Sequence, residues 1–449
     1  MQGRLNIGGR QFEPVVWYKH ACLRKLYALI AVVWLSSATG GFDGSMMNGL
    51  QSLSYWETYF NNPSPSTLGL MNAIVPAGNF AINFFVPYMA DGIGRKNTLI
   101  VGLLVLFVGI GLQTGATNMG MFIASRFIGG VGASMGTGPY LITELAHPQH
   151  RPTVTAIYNT TYYIGAIIAA WATYGTLFIQ SEWAWRLPSL LQYVTPLIQF
   201  ALIWFVPESP RYLINKDRPD EARAILAKYH GPASGPEFVQ AEFDEIWQTA
   251  QLERQFGKRG WRELWSTKGN RHRFLICIAL GIFANTAGNA ILSYYLYQVL
   301  DSIGISSQRD QLRINGILNI YNWIIALTMA FMLDRVGRRP LFLISVGGML
   351  CTFVGWTAFS TVYAKTSDPG SAKGVLACIF IYQAFYDVAW SGLYQAYACE
   401  ILPYSIRARG LAVVVLCAYA AVFFANYVNP VGLANAGVSI PTKYHCFRT

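Results

Sequence analysis

Eleven stretches of about twenty mostly apolar residues, separated by short loops, limit this chain more than any other feature of its sequence. They fall at roughly 26–50, 68–89, 97–117, 120–143, 154–178, 187–206, 273–299, 312–333, 340–362, 373–398 and 411–433. A run of that length is what a helix needs to cross the hydrocarbon core of a bilayer. Only helices and closed barrels satisfy every backbone polar group there. The reading is therefore an all-α polytopic membrane protein. Composition agrees: 53% of the 449 residues are hydrophobic and 12% charged, against about 25% charged in a soluble domain. The first run is too long for a cleaved leader and continues into further spans.

The net charge of +11 does not argue for nucleic acid, because the basic residues sit in short loops between the runs. Arg95, Lys96, Arg151, Arg335, Arg338, Arg339, Arg407 and Arg409 fall on one side. Glu57, Glu182, Asp301, Asp310 and Asp368 fall mainly on the other. The positive-inside rule makes the first side cytoplasmic, together with the amino-terminal segment 1–25. The cysteines, among them Cys277, Cys351, Cys378, Cys399 and Cys417, lie within apolar runs with no metal or disulfide spacing. No cofactor or catalytic motif is present, so an enzyme is not expected.

One connection differs. Residues 207–272 hold more than a third of the charged residues, nearly balanced in sign. "PDEARAILAKYH" has helical spacing with acids at its start, and Ile225, Leu226, Phe238, Phe243, Ile246 and Trp247 recur. A helical cytoplasmic insert is expected, dividing the chain into 26–206, with six spans, and 273–433, with five. The two parts repeat. "DGIGRKN" follows span two and "DRVGRRP" follows span eight; "ELAHPQHR" follows span four and "EILPYSIR" follows span ten. Parallel repeats of this kind are a transporter architecture, with the substrate site at mid-depth between them.

The ordered pieces "GFDGSMMNG", "DGIGRK", "RFIGGVGASMGTGPYLITELAHPQHR", "WAWRLPSLLQ", "PESPRYL", "DRVGRRPL" and "EILPYSIRARG" resemble the sugar porters of the major facilitator superfamily. The likeness is greatest to the fungal lactose permease-like and hexose transporters. That resemblance implies two six-helix halves. The twelfth span is missing here, and 434–449 is a short atypical tail; a truncated or misassembled chain is the expectation. The resemblance also implies a plasma-membrane location, a mono- or disaccharide substrate carried by alternating access, and symport with a proton. An uncoupled sugar or polyol/quinate facilitator, and a non-transporting sugar sensor, remain alternatives.

Candidate residues follow. Asp43 lies in an apolar span, where a carboxylate costs about 2.5–3.5 kcal/mol on insertion scales. It therefore needs a partner or a proton. The resemblance makes Arg126 that partner and the pair a proton-coupling site: a nearby arginine favours the ionised acid, and its loss in a dry site favours the protonated one. The competing reading is a tie between helices one and four. For substrate, the resemblance points to Asn159, Asn285, Asn289, Asn319, Tyr386, Asp387 and Trp390. Asn285 and Asn289 are four apart and are expected to share a helix face. Asn315, Asn319 and Asn322 form a polar stripe, whose alternative is helix–helix contact worth about 0.6 kcal/mol each. Where relatives carry a deeper Trp and an Asn-Trp pair, this chain has Gln395, Ala418 and Tyr419, which implies a wider cavity. Tyr294 and Tyr295 match an outer gate. A gate on the cytoplasmic side is expected from ion pairs among Asp91, Arg95, Glu144, Arg151, Glu208 and Arg211, and among Asp334, Arg335, Arg338, Arg339, Glu400 and Arg407, locking the halves together.

Overall fold

The computed structural model describes residues 5–7, 9–256, 263–391 and 393–439. Each of the eleven apolar runs becomes a helix or a pair of helices. In the first half these are α1 (Ala21–Leu50), α2 (Pro65–Asn83) with α3 (Val86–Ile93), α4 (Arg95–Thr114), α5 (Met119–Ser134) with α6 (Gly138–Leu145), α7 (Arg151–Thr176), and α8 (Trp183–Leu191) with α9 (Val194–Leu202). The insert contains α10 (Pro210–Asn215), α11 (Pro219–Tyr229) and α12 (Pro236–Phe256). The second half has α13 (Lys268–Thr286) with α14 (Asn289–Ser302), α15 (Gln308–Val336), α16 (Arg338–Thr366), α17 (Pro369–Ala389) with α18 (Leu393–Ile401), and α19 (Tyr404–Ser439). Residues 440–449, most of the atypical tail, lie outside the described residues.

Seven of these helices or joined pairs are long and apolar enough to cross a membrane, eight counting α2–α3, which is bent by 51°. Among the described residues, α5–α6, α7 and α15 fall short; Arg126 lowers the hydropathy of the first and a Tyr-Asn-Thr-Thr-Tyr-Tyr run that of the second. Helices α7 and α15 pack against each other across the two halves, and α2 and α19 form the second such contact. Thr160 and Thr161 of α7 and Asn315 and Asn322 of α15 are buried there.

The repeated loops have a shared backbone cause. Gly94, between α3 and α4, has φ 104° and ψ 161°; Gly337, between α15 and α16, has φ 86° and ψ 159°. That region is open essentially to glycine alone. It lets each chain reverse direction in one residue, with the basic residues opening the next helix. Close helix approach also depends on glycine: a Cβ on Gly41 of α1 would collide with the Tyr162 backbone, and one on Gly165 of α7 with that of Ala38. Apolar side chains fill the second half around Cys277, Leu296, Ile379 and Val414, and the first half around Leu23, Ile30, Leu103 and Leu141.

The insert has its own small core of Leu213, Ile214, Leu226, Val239 and Phe243. Helix α11 carries Asp220 and Glu221 in its first turn and Lys228 in its last, matching the helix dipole. The amino-terminal segment adds an antiparallel hairpin, β1 (Leu5–Ile7) with β2 (Arg10–Phe12), to an otherwise helical chain among the described residues. Phe12 meets Phe238 of α12 edge-on, with ring centroids 5.1 Å apart. The insert docks on the first half through histidines. His147 stacks on Phe238 at 4.8 Å and its Nε2 lies 3.1 Å from Ser234 Oγ, and His230 Nε2 lies 3.3 Å from the Leu145 carbonyl. Below, "insert side" denotes this end of the bundle and "far side" the opposite end.

Candidate substrate and coupling site

Asp43 sits on the inner part of α1. Arg126 Nη1 of α5 donates to its Oδ1 at 2.5 Å, and Gln192 Nε2, beyond the end of α8, donates to the same oxygen at 3.1 Å. Arg126 is 2% exposed, and its Nε and Nη2 have no hydrogen-bond partner among the described residues. A buried guanidinium held on one nitrogen alone is a costly arrangement.

On the other side of the interface, α15 presents its stripe to α1. Asn319 Nδ2 donates to Ser45 Oγ at 3.2 Å and to Asn315 Oδ1 at 3.3 Å; Asn48 Nδ2 donates to Asn315 Oδ1 at 3.4 Å. Asn48, which the sequence left without a role, thus ties α1 to the second half. Asn322 is buried with its Oδ1 unpartnered. Asp387 of α17 accepts from Tyr163 Oη of α7 at 2.5 Å, and its Oδ2 is buried without a partner. Tyr386 Oη donates to the Ala284 carbonyl at 3.1 Å. Asn159 is half-buried on α7. Unpaired buried polar atoms also include Gln383 Oε1 and Asn315 Nδ2. Such atoms gather where a polar ligand or solvent completes the bonding.

Several expectations need correction. Asn285 and Asn289 do not share one continuous helix face, because α13 ends at Thr286 and Gly288, with φ 104°, starts a new helix. Asn285 turns back to the Gly281 carbonyl at 3.1 Å, while Asn289 accepts from Ser293 at 3.4 Å. Trp390, just past the end of α17, is 7% exposed and packs on Phe342 at 5.1 Å, with its Nε1 buried and without a partner among the described residues. In this conformation, Arg95 and Arg338 each pair with an acid of their own half. Arg95 holds Asp91 and Glu144, each at 3.1 Å, and Arg338 holds Glu400 at 2.9 Å. Arg151 pairs with Glu242 of the insert at 3.2 Å instead of Glu144, because α12 lies beside the start of α7. Glu208 accepts from the Lys96 backbone amide at 3.2 Å, capping α4, and the adjacent Ser209 hydroxyl donates to Glu144. Arg211 is half-buried on α10, and Arg339 opens α16. The side chains of Asp334, Arg335 and Arg407 lie outside the described residues.

The halves are instead joined on the far side by amides that the sequence reading passed over. Gln51 Nε2 donates to the Tyr294 carbonyl at 3.1 Å, and Asn72 Nδ2 donates to Gln51 Oε1 at 3.4 Å. Asn426 Nδ2 donates to the Asn72 carbonyl at 3.2 Å, and Tyr295 Oη donates to the Asn426 carbonyl at 2.7 Å. The four bonds form a closed ring through α1, α2, α19 and α14, and Tyr295 lies at a kink of α14, with φ −133°. Asn72, Gln192 and Asn426 carried a visible signal: each is an amide inside an apolar run, and Gln51 directly follows one.

Two helical halves packed around an interior polar seam, with a helical insert between them, define a multi-pass membrane transporter of the major facilitator fold. The chain belongs to the sugar (and other) transporter family, whose model matches residues 29–447. Relatives include the high-affinity glucose transporter of Kluyveromyces lactis, 25% identical over 90% of this chain and 76% of that protein. The probable quinate permease of Aspergillus niger is 28% identical over 86% of this chain and 76% of that protein. Among solved structures, the E. coli proton:xylose symporter XylE bound to 6-bromo-6-deoxy-D-glucose superposes with a TM-score of 0.76 at 22% identity, covering 92% of this chain and 90% of that one. Its partially occluded inward-open form gives 0.72 at 21% identity, covering 91% and 92%.

Proposed function

We propose that the protein carries a mono- or disaccharide across a membrane by alternating access, in symport with a proton. The observation that carries this reading is the seam between the halves. Asn319, Asn322, Asn159 and Asp387 there offer donors and acceptors beside Tyr163, Tyr321 and Tyr386. Sugar hydroxyls need paired donors and acceptors, and sugar rings need apolar faces to rest on. Asp43 takes the proton and Arg126 competes with it. Arginine favours the ionised carboxylate and a proton removes the charge it pairs with, so protonation weakens the tie between α1 and α5. The closed amide ring and the kink at Tyr295 give the far-side gate. The insert side is cytoplasmic, with the amino terminus, and the plasma membrane is the site of action.

A second reading has its own support. The two free nitrogens of Arg126 suit a carboxylate, and a quinate permease stands among the relatives. Uptake of a labelled panel of hexoses, pentoses, disaccharides and quinate in a transporter-deficient yeast decides between them. Uptake of one or more sugars, with a raised KM in Asp387→Asn, is expected. Uptake of quinate alone gives the second reading, and uptake of neither overturns both.

A further inference from the structure

We propose that Tyr163 is an internal stand-in for a substrate hydroxyl, which the substrate must displace from Asp387 in order to bind. The inference rests on the reading of Asp387 as a substrate ligand. Tyr163 and Asp387 belong to opposite halves, on α7 and α17, and their 2.5 Å bond crosses the seam. Tyr163 lies four residues, about one helical turn, beyond Asn159, so both face the same way. Asp387 is 4% exposed. Its Oδ1 is served by this phenol and its Oδ2 has no partner among the described residues.

Oδ2 is itself shut off from solvent, so an incoming hydroxyl meets this carboxylate at the oxygen that Tyr163 holds. A tyrosine offers what a pyranose offers: an O–H on a six-membered ring with an apolar face. Exchange of one hydroxyl for another conserves the bond to Asp387. It also severs the cross-half link. Binding is thereby tied to release of α7 from α17, and a compound without a hydroxyl at that position cannot make the exchange. Such a site rejects the deoxy analogue because the buried acceptor is left unpaired.

The test uses the full chain in a transporter-deficient host, first establishing which panel sugar the wild type takes up; no uptake overturns the underlying reading and not this step. With that sugar, Tyr163→Phe removes the competitor and leaves the ring. KM is expected to fall by about tenfold, whereas Asp387→Asn raises it, and adding Tyr163→Phe to Asp387→Asn changes nothing further. A KM that is unchanged or raised in Tyr163→Phe overturns the proposal, the second case making Tyr163 a ligand in its own right. A measurement that needs no deletion is the ¹⁹F resonance of 3-fluorotyrosine at position 163 in purified protein. Saturating sugar is expected to shift it, and the corresponding deoxy sugar is not. A resonance that ignores both, or responds equally to both, overturns the proposal.

Discussion

Asn426 of α19 donates its side-chain amide to the backbone carbonyl of Asn72 in α2 at 3.2 Å, joining the two halves on the far side. Asn426 and Asn72 are both fully buried. Each bond of the ring they belong to contributes on the order of 1 kcal/mol net, so the closed far side is a shallow state that a few lost bonds can reverse. Asn426→Ala and Gln51→Ala are each expected to move the equilibrium toward far-side opening by about fivefold, since ~1.4 kcal/mol is tenfold. Spin labels at Asn62 and Ser306, in far-side loops of opposite halves, read this as a new, longer distance component. Distance distributions identical to wild type for both variants would exclude the ring as the closure.

The two repeat-loop glycines differ in what surrounds them. Both need a backbone conformation that costs an L-residue about 1–3 kcal/mol. At Gly94 a Cβ would also strike the Glu208 carboxylate, whereas at Gly337 the nearest atom, on Pro340, is 4.0 Å away. Gly94→Ala is therefore expected to lower the melting temperature in detergent more than Gly337→Ala. Equal losses would remove Glu208 from the account of that turn.

The insert's dock should be acid-sensitive. His147 is pulled down to about 3, chiefly by burial and then by the nearby His230, His150 and Arg151 charges; His150 is also lowered, again chiefly by burial. Facing these rings are Tyr27, at 2.6 Å from His150, the Val15 carbonyl, Ser234, Glu242 and Arg151. An unfolded histidine takes a proton near pH 6.5. The docked form refuses it, so stability is full above that value and falls as pH drops from about 6.5 toward 3. Hydrogen exchange over residues 219–256 should quicken on acidification across that window. His147→Phe, which keeps a ring against Phe238, should blunt the effect; an unaltered pH profile in that variant would assign the sensitivity elsewhere.

Much of this architecture was legible in the sequence, for reasons that also mark where legibility ended. Apolar runs long enough to span a bilayer leave few alternatives, and the paired loop signatures correspond to matching glycine conformations at Gly94 and Gly337. Helix breaks were not readable. The interruption at Ala287–Gly288 lies inside an apolar run, so hydrophobicity continues while the face rotates, and Asn285 and Asn289 part company. Arg151 showed its charge but not its partner, because Glu242 is 91 residues away in a helix whose docking depends on tertiary contacts. The hairpin at the amino terminus was missed likewise, its anchor being Phe238. The nearness of Asp43 and Arg126 came from family resemblance; spacing alone could not give it. The Tyr163–Asp387 bond joins positions 224 residues apart, and neither residue's neighbours announce the other.

The central claim is that sugar moves with a proton taken by Asp43. The most direct measurement follows the pH of a weakly buffered suspension of cells bearing the transporter when a transported sugar is added, for wild type and Asp43→Asn. Sugar exchange by counterflow in both confirms that each variant is folded and binds. Alkalinisation with wild type, and none with Asp43→Asn despite retained counterflow, is the predicted result. Proton uptake of equal size in Asp43→Asn, or sugar accumulation by wild type with no proton uptake, would contradict it.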